Sequence, residues 1–339
     1  MSIFYAFIKP VIKKFRLLRD ENFLDIALRP FFAEQLIRTF YTTTPEEKKL
    51  TDNLRKKVLS LPQIGTTSTS SAEQRWQSFR KTLRNCIVKN DPRNFFNWEV
   101  VKYNMIYGAS LKDILYLKRM GYWSRWRDTL IKEDQFNANP FFAFPQTSTN
   151  TLRQAYHLAK FFTETKTSIG DISQIIDFGG GYGNMCRLVS SLGFQGQYII
   201  FDSSEFLLLQ EYYLKLSKIA VPIIFLKEIE NLSDIPTPSI ILTEDIETLK
   251  KLSKNPQSQK NLLVATWSLS ETPIELRNKF LTTIQPKYFL ITYQKYFGEV
   301  NNEKYFTNFI NTTPDILWKK SKMSYLPSQK NYYLVGKKK

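Results

Sequence analysis

The sequence predicts an α/β protein built on a doubly wound parallel sheet, preceded by a mostly helical N-terminal region. Short apolar runs alternate with helical segments over the second half of the chain, near residues 174–178, 197–202, 239–243, 261–267 and 287–293. A glycine-rich turn follows the first run. Two last apolar segments, 316–322 and 331–335, flank Pro327 and suit an antiparallel hairpin. Together they indicate a Rossmann-like sheet that ends in a C-terminal hairpin, with a short extra strand at 221–226.

Helix signals dominate residues 1–135. An amphipathic stripe is expected where apolar residues recur between Phe15 and Ile26, and Thr44 is a plausible N-cap before Pro45. A further helix is expected from Ala72 to about Lys89. Residues 136–150 contain two prolines and polar turn residues, so they are interpreted as a linker that opens a second domain at 136–339.

The amino-acid composition limits the classes of protein to which the chain can belong. The 339 residues are 42% hydrophobic and 15% aromatic, which supports a packed core. The two cysteines cannot make a disulfide framework or a zinc site, and a reducing compartment is the simplest inference. No run approaches the ~20 apolar residues of a membrane span, and the N-terminus lacks a clear signal-peptide cleavage site. We therefore expect a cytoplasmic protein, peripheral at most to the inner face of the membrane.

The net charge of +17 favours anionic partners. Nucleotide-sugars, lipid-linked glycans, an anionic membrane surface and nucleic acid would all suit this charge. A requirement for solubility, or the lysine-rich composition typical of an AT-rich genome, explains the charge equally well. The aromatic and basic cluster at residues 122–127 is either a stacking surface or a half-buried seam between domains. The oligomeric state stays open.

The glycine-rich turn is the most specific local signal. Gly179, Gly181 and Gly183 follow Asp177 in the pattern D-x-G-x-G-x-G, which is that of class I S-adenosylmethionine (SAM) methyltransferases. The dinucleotide pattern G-x-G-x-x-G would need glycine where Asn184 stands. Glycines allow a tight turn and let the backbone approach a ligand closely. The alternative is a glycine turn that binds nothing.

Two further acids follow later strands. Asp202 ends the second strand, where an acid accepts hydrogen bonds from ribose hydroxyls, although it could merely cap the next helix. Asp245 follows the strand at 239–243 and could accept from an adenine amino group. A solvated position at a helix N-terminus explains Asp245 nearly as well.

The segment from Thr266 to Pro273 follows a strand of the parallel sheet, and ligands of such sheets bind beyond the carboxyl ends of the strands. Trp267 and Ser268 are predicted to bind the acceptor. Arg153, on the helix before the first strand of the sheet, is the third predicted acceptor-binding residue. The segment lacks the D/N/S-P-P-Y/F/W pattern of amino-group DNA methyltransferases, and neither cysteine follows a proline as cytosine C5 methylation requires. Oxygen acceptors become the favoured class by elimination.

Four segments, DFGGGYGNMCRL, YIIFD, ATWSLSETP and YFLITYQ, resemble the sugar O-methyltransferase family of bacterial surface-polysaccharide clusters. The segment NTLRQAYHLAKF is similar to that family as well, and the resemblance covers roughly residues 137–335. It implies SAM-dependent methyl transfer to a sugar hydroxyl, with Gly179, Gly181 and Asp202 as cofactor contacts. It assigns no catalytic base.

Removing the proton of a sugar hydroxyl calls for a general base. His157, the only histidine, is the first candidate and Glu271 is the second; the alternatives are a structural histidine and a first-turn helix residue. A metal site is poorly supported by one histidine and no dense carboxylate cluster. Two other functions stay open, an RNA methyltransferase and a non-catalytic scaffold of a glycan-assembly complex.

Overall fold

The computed structural model describes residues 43–65, 70–119, 123–131, 140–141, 143–228, 231–253, 260–323 and 330–339. In its N-terminal part these residues form helices α1 (Pro45–Leu59), α2 (Ser71–Lys89), α3 (Glu99–Lys102), α4 (Leu111–Arg119) and α5 (Trp123–Ile131), with a 3₁₀ helix at Pro92–Asn97. The expected helical N-terminal region is thus confirmed from residue 45 onward. The amphipathic stripe expected before residue 27 and the turn at Pro327 lie outside the described residues.

The first two helices begin at local caps. Thr44 forms a capping box with Glu47: the Glu47 amide donates to Thr44 Oγ1 over 3.1 Å, and the Thr44 amide donates to Glu47 Oε2 over 2.9 Å. Helix α2 begins one residue before the expected Ala72, because Ser70 accepts a hydrogen bond from the amide of Glu73. The N-cap predicted at Thr44 is confirmed.

A small hairpin of β1 (Pro140–Phe141) and β2 (Phe144–Ser148) lies in the expected linker. Helix α6 (Thr149–Thr165) starts before the linker's predicted end, since Ser148 caps it by accepting from the Thr151 amide. The domain boundary at residue 136 stays a prediction. One continuous apolar cluster contains Leu54 and Leu83 from the N-terminal helices together with Ile175 and Ile200 from the sheet.

The rest of the chain alternates strands and helices around one eight-stranded sheet. Its elements are β3 (Gln174–Phe178), α7 (Asn184–Ser191), β4 (Gln197–Phe201), α8 (Ser204–Leu216), β5 (Ile223–Phe225), β6 (Ser239–Thr243), α9 (Ile246–Ser253), β7 (Asn261–Thr266), α10 (Ile274–Ile284), β8 (Tyr288–Gln294), β9 (Tyr296–Phe297), β10 (Val300–Asn301), α11 (Asn302–Asn311), β11 (Ile316–Lys322) and β12 (Asn331–Lys338). Strands β9 and β10 form a separate small hairpin.

The strand order of the large sheet is β11-β12-β8-β7-β3-β4-β6-β5. Strand β12 runs antiparallel to both of its neighbours, and the other pairings are parallel. The doubly wound sheet, the short extra strand and the C-terminal hairpin are therefore confirmed. Each strand that was expected from an apolar run matches to within a few residues at its ends, because strands buried on both faces appear as continuous apolar runs.

Alternate side chains of the strands belong to two different layers. Ile175 and Ile200 face α6, α7, α8 and the N-terminal helices, whereas Ile176 and Ile199 face α9, α10 and α11. The N-terminal helices thus lie on the same face of the sheet as α8. Within the described part of the chain, no helix combines the length and the apolar character needed to cross a bilayer.

An ion-pair cluster fixes α2 against α8. The Glu205 side chain is fully buried and pairs with Arg80 Nε at 2.6 Å and with Arg84. Burial raises the pKa of Glu205, but the hydrogen bonds from both arginines outweigh it and hold the pKa below its ordinary value. Glu205 is therefore ionised near neutral pH, and α2 is held beside the carboxyl ends of β3 and β4.

Candidate cofactor and acceptor site

A cavity of about 620 Å³ opens at the carboxyl ends of β3, β4 and β7. Its lining includes the glycine turn, residues 201–203 and several residues between 268 and 276. Residues of α2, of the segment 104–107 and of the first turns of α6 complete the lining. Its volume falls within the ~300–1,000 Å³ that ligand pockets occupy, and its place is where doubly wound sheets bind ligands. The N-terminal helical region therefore completes the site.

The glycine turn requires glycine for two separate reasons. Gly179, Gly181 and Gly183 have φ values of 70°, 59° and 97°, in the region that L side chains rarely adopt. A Cβ on Gly179 would also lie 2.5 Å from Ser268 Cβ. The turn thus packs against the segment after β7, and its backbone faces the cavity. All three predicted glycines lie at the cavity or next to it.

Asp177 and Asp202 both line the cavity. Asp177 accepts a hydrogen bond from the Tyr198 hydroxyl over 2.7 Å, and burial raises its pKa to about 7. Asp202 accepts from the amide of Ser203 over 2.8 Å and from Gln210 Nε2 over 2.9 Å, and burial raises its pKa to about 7 as well. The cavity therefore holds two acids that a cationic or hydrogen-bond-donating ligand would stabilise in the ionised form.

Gln210 and Asn184 are site residues that the sequence interpretation missed. Gln210 Nε2 donates to Asp202 and also to the carbonyl of Gly181 over 2.9 Å, so it connects the acid to the glycine turn. Asn184 is buried at the start of α7; its Oδ1 accepts from Thr151 Oγ1 over 3.0 Å, while its Nδ2 has no partner among the described residues. This amide is a free donor in the cavity wall.

Asp245 does not line the cavity. Its carboxylate accepts from the amides of Glu247 and Thr248 over 3.0 and 3.2 Å, and from the Thr248 hydroxyl, so it caps α9. The Thr248 hydrogen bond lowers the pKa of Asp245. The structure therefore favours the helix-terminus interpretation of Asp245 over an adenine contact.

Arg153 and His157 also lie away from the cavity lining, on the inner face of α6. Arg153 is fully buried, donates to the Gly108 carbonyl over 2.9 Å and pairs with Asp113 at 2.8 Å. His157 is fully buried too, with Nδ1 2.7 Å from the Tyr333 hydroxyl. Burial, with the charge of Arg153 adding to it, places the pKa of His157 well below 6.5. Both side chains connect secondary-structure elements, and the geometry favours a structural histidine.

We expect His157→Asn to keep kcat within a few-fold of the unmodified protein, because asparagine can retain a hydrogen bond to Tyr333. His157→Ala should lose that bond and leave a void, and so lower the free energy of unfolding by ~1–3 kcal/mol. Thermal unfolding and turnover measured on both variants provide the check. A ~100-fold loss of kcat in His157→Asn with unchanged melting temperature would restore His157 as the base.

Ser268 lies in the cavity wall, whereas Trp267 lies behind it. Trp267 is 5% exposed and stacks on Tyr107, with ring centroids 4.2 Å apart; Tyr107, not Trp267, lines the cavity. Ser268 lines the cavity, but its hydroxyl donates to the carbonyl of Phe178. The structure thus gives Trp267 a packing role against Tyr107, and Ser268 a hydrogen bond that connects the segment after β7 to the end of β3.

Glu271 lines the cavity next to Ser268. Its Oε1 accepts from Gln294 Nε2 over 3.1 Å, and Gln294 Oε1 in turn accepts from Ser270 Oγ over 2.9 Å. The carbonyl of Glu271 accepts from the Trp76 indole over 2.9 Å. Burial raises the pKa of Glu271 to about 7. An oriented carboxylate with a near-neutral pKa is the arrangement expected of a general base.

Among the described residues, no group of three or more His, Cys, Asp or Glu side chains could hold a metal ion. Trp126 is buried and Trp123 contacts Phe144, at 5.9 Å between ring centroids, so this part of the 122–127 cluster forms a seam. Tyr122 lies outside the described residues.

No protein-family model matches the chain, and no curated protein matches it either. Solved structures that are similar to it include the following three proteins. An rRNA methylase from Streptococcus thermophilus is 14% identical, with 50% of this chain and 87% of that one covered and a TM-score of 0.35. The plantazolicin methyltransferase BpumL in complex with SAH is 12% identical, with coverages of 80% and 100% and a TM-score of 0.33. An O-methyltransferase family protein from Burkholderia thailandensis is 9% identical, with coverages of 88% and 98% and a TM-score of 0.35.

Scores this low carry no conclusion about the reaction, and the strand order decides the fold. Six neighbouring strands, β8-β7-β3-β4-β6-β5, are parallel to one another, and the antiparallel strand β12 lies between β8 and the edge strand β11. This arrangement is a doubly wound sheet with a reversed end. The fold is therefore a Rossmann-like, doubly wound α/β sheet with a C-terminal antiparallel hairpin.

Proposed function

We propose that the protein is a SAM-dependent O-methyltransferase that acts on a sugar hydroxyl. The observation that carries the proposal is one cavity whose lining contains the glycine turn, Asp202 and the Glu271 carboxylate. A methyl donor held by the glycine turn and Asp202 would share this space with a hydroxyl next to Glu271. The resemblance of the four quoted segments implies the sugar, and the absence of the amino-group DNA and cytosine C5 motifs favours an oxygen acceptor.

The residues present fit SAM. Asp177 and Asp202 suit a ligand that carries ammonium and sulfonium charges and ribose hydroxyls, and the free Asn184 Nδ2 suits a carboxylate. A Cβ on Gly179 would collide with Ser268, so a side chain there would displace the turn that would hold the cofactor. The cofactor supplies an electrophilic methyl group when it is bound.

The chain's own residues supply positioning and proton removal. Glu271 accepts the proton of the acceptor hydroxyl, and Gln294 fixes the rotamer of Glu271 by its hydrogen bond. Helix α2 covers the cavity and excludes water, with Trp76 tied to the Glu271 carbonyl and Arg80 to Glu205. Positioning of this kind supplies most of the rate enhancement of a displacement between two bound groups.

We expect calorimetry to detect binding of SAM and of its demethylated product below ~1 mM, an affinity of about −4 kcal/mol. Asp202→Asn should weaken SAM binding ~10-fold or more, because hydrogen bonds to a charged group are worth ~1.5–3 kcal/mol. Asp245→Asn is the matched control and should keep the dissociation constant within about two-fold, since Asp245 caps α9 outside the cavity. No binding of either compound at millimolar concentration would refute the proposal.

The acceptor is a separate question, and mass spectrometry of methyl transfer into a glycan extract of the source cell addresses it. A nucleotide-sugar, a lipid-linked glycan or a free sugar would each support the proposal, and the protein would then work in the cytoplasm, near the membrane surface where the acceptor is lipid-linked. Methyl transfer into RNA instead, with an affinity that falls steeply with salt, would replace the sugar by RNA. Binding of SAM without transfer to any acceptor would favour a scaffold.

A further inference from the structure

The part of the cavity lining around Glu271, the acceptor side, is acidic, in contrast to the strongly basic chain. Glu271 after β7 and Glu275 on α10 belong to it, and so does Glu73 on α2, because the Trp76 indole donates to the Glu271 carbonyl and brings α2 beside it. Among the described lining residues the only cationic side chain is Arg80, and its guanidinium pairs with Glu205 at 2.6 Å. The net charge of +17 therefore does not extend into the cavity, whose wall repels anions.

Gln154 provides a second and independent observation. Its side chain lines the cavity from α6 and is 6% exposed, yet its Oε1 has no hydrogen-bond partner in the described structure. A buried oxygen of this kind is paired in most native proteins, so a bound ligand is expected to donate to it. A hydroxyl group can do so, whereas a phosphate oxygen without a proton cannot.

Both observations select the same chemistry. Carboxylates and an amide oxygen accept hydrogen bonds, so the cavity lining offers acceptors for several donors at once. A polyol is rich in hydroxyl donors and carries no charge, and it satisfies this wall without an ion pair. A nucleoside diphosphate would place two negative charges within one sugar ring of these carboxylates, where like charges repel.

Resting on the proposed function, we propose that the sugar residue methylated here is a phosphate-free unit of a glycan, bound as an uncharged polyol that donates to Gln154 Oε1 and to the acidic wall. A sugar attached directly to a nucleoside diphosphate is then excluded as acceptor. In a lipid-linked glycan, the methylated unit lies at least one sugar away from the phosphates.

Matched acceptor pairs test this inference. Each pair consists of an uncharged oligosaccharide and a nucleoside diphosphate hexose that ends in the same hexose, and product formation is followed as release of the demethylated cofactor. We expect kcat/KM to be at least ~10-fold higher for the uncharged member. A preference for the phosphorylated member overturns the inference while the methyltransferase function stands. Failure of SAM to bind in calorimetry, by contrast, refutes the proposed function itself.

Reversing the charge of one glutamate in the cavity lining provides a second test of the preference for an uncharged acceptor. Glu275→Lys should raise kcat/KM for the phosphorylated member relative to the uncharged member by ~10-fold. Glu247→Lys is the matched control, since Glu247 lies on α9 outside the cavity lining, and it should leave the ratio unchanged. Gln154→Met, which keeps the shape, should raise KM for the uncharged member ~10-fold while SAM affinity stays within two-fold. Unchanged values in both Glu275→Lys and Gln154→Met contradict the inference.

Fluorescence quenching decides the matter if no pair is turned over although SAM binds. Each quencher is scaled to its effect on free N-acetyltryptophanamide, because iodide is intrinsically the stronger quencher. On that scale, the contribution of Trp76, obtained as the difference between the protein and Trp76→Phe, should be quenched more strongly by caesium than by iodide, because the wall beside it is acidic. Equal or stronger scaled quenching by iodide shows that anions enter this side freely, and overturns the inference.

Discussion

Replacing Glu271 by glutamine is expected to lower kcat by ~100-fold or more while leaving the affinity for SAM within a few-fold. Positioned general bases contribute ~10²–10⁴-fold, and glutamine keeps the shape of the side chain but cannot take a proton. Because the base acts only in the transition state, kcat and kcat/KM should fall together. Single-turnover kinetics measures the loss of kcat, and calorimetry on the same preparation measures the affinity for SAM. Turnover close to that of the unmodified protein would exclude Glu271 as the base.

The pH profile gives a second view of the same residue. Burial raises the pKa of Glu271 from 4.5 to about 7, and the base works only after losing its proton. With SAM saturating, so that Asp177 and Asp202 are already ionised, the kcat/KM for the acceptor should therefore rise as pH rises through about 7 and level off above it. The residual activity of Glu271→Gln should lack this step, whereas His157→Asn should retain it. A profile that is already flat from pH 5 to 8 contradicts a base with a raised pKa.

Gly179→Ala is expected to abolish detectable SAM binding and to destabilise the fold. The new Cβ would meet Ser268 Cβ at 2.5 Å, and the φ of 70° adds left-handed strain. Overpacking costs ~1–3 kcal/mol and left-handed backbone ~1–2 kcal/mol, so the free energy of unfolding should fall by ~2–5 kcal/mol. Thermal unfolding and SAM calorimetry measure the two effects.

Three further variants separate the effect of the Cβ clash from that of the backbone strain. Gly181→Ala shares the positive φ, but its Cβ would come no closer than 3.7 Å to Met105 Cβ, so only the backbone strain should appear in its stability. Gly170→Ala meets one atom at 3.8 Å without positive φ and should be nearly neutral. Adding Ser268→Gly to Gly179→Ala removes the clashing Cβ and should recover part of the lost stability. A melting temperature of Gly179→Ala equal to that of Gly170→Ala would show that the loop simply moves aside.

Short-range sequence patterns were enough to predict the strands, the glycine turn and the acids that surround the site. A strand buried on both faces is an apolar run whatever surrounds it, and a turn with three positive φ values selects glycine whatever ligand it holds. The sheet therefore fixed the places of Asp177 and Asp202 at the carboxyl ends of β3 and β4. Glu271 follows β7 by the same logic, so its presence at the cavity was predictable from its position after a strand.

The sequence by itself thus determined the parallel sheet, the hairpin, the glycine turn and the acids that follow the strands, because each depends on neighbours in the chain. Only the tertiary structure decided which polar side chains are free to act. His157 is bonded to Tyr333 and Arg153 to Asp113, while Trp76 and Arg80 reach the cavity from α2. These partners are far apart in sequence, and periodicity carries no information about pairing at that separation. The choice between His157 and Glu271 therefore depends on packing: burial removes the histidine from the cavity and leaves the glutamate in its wall.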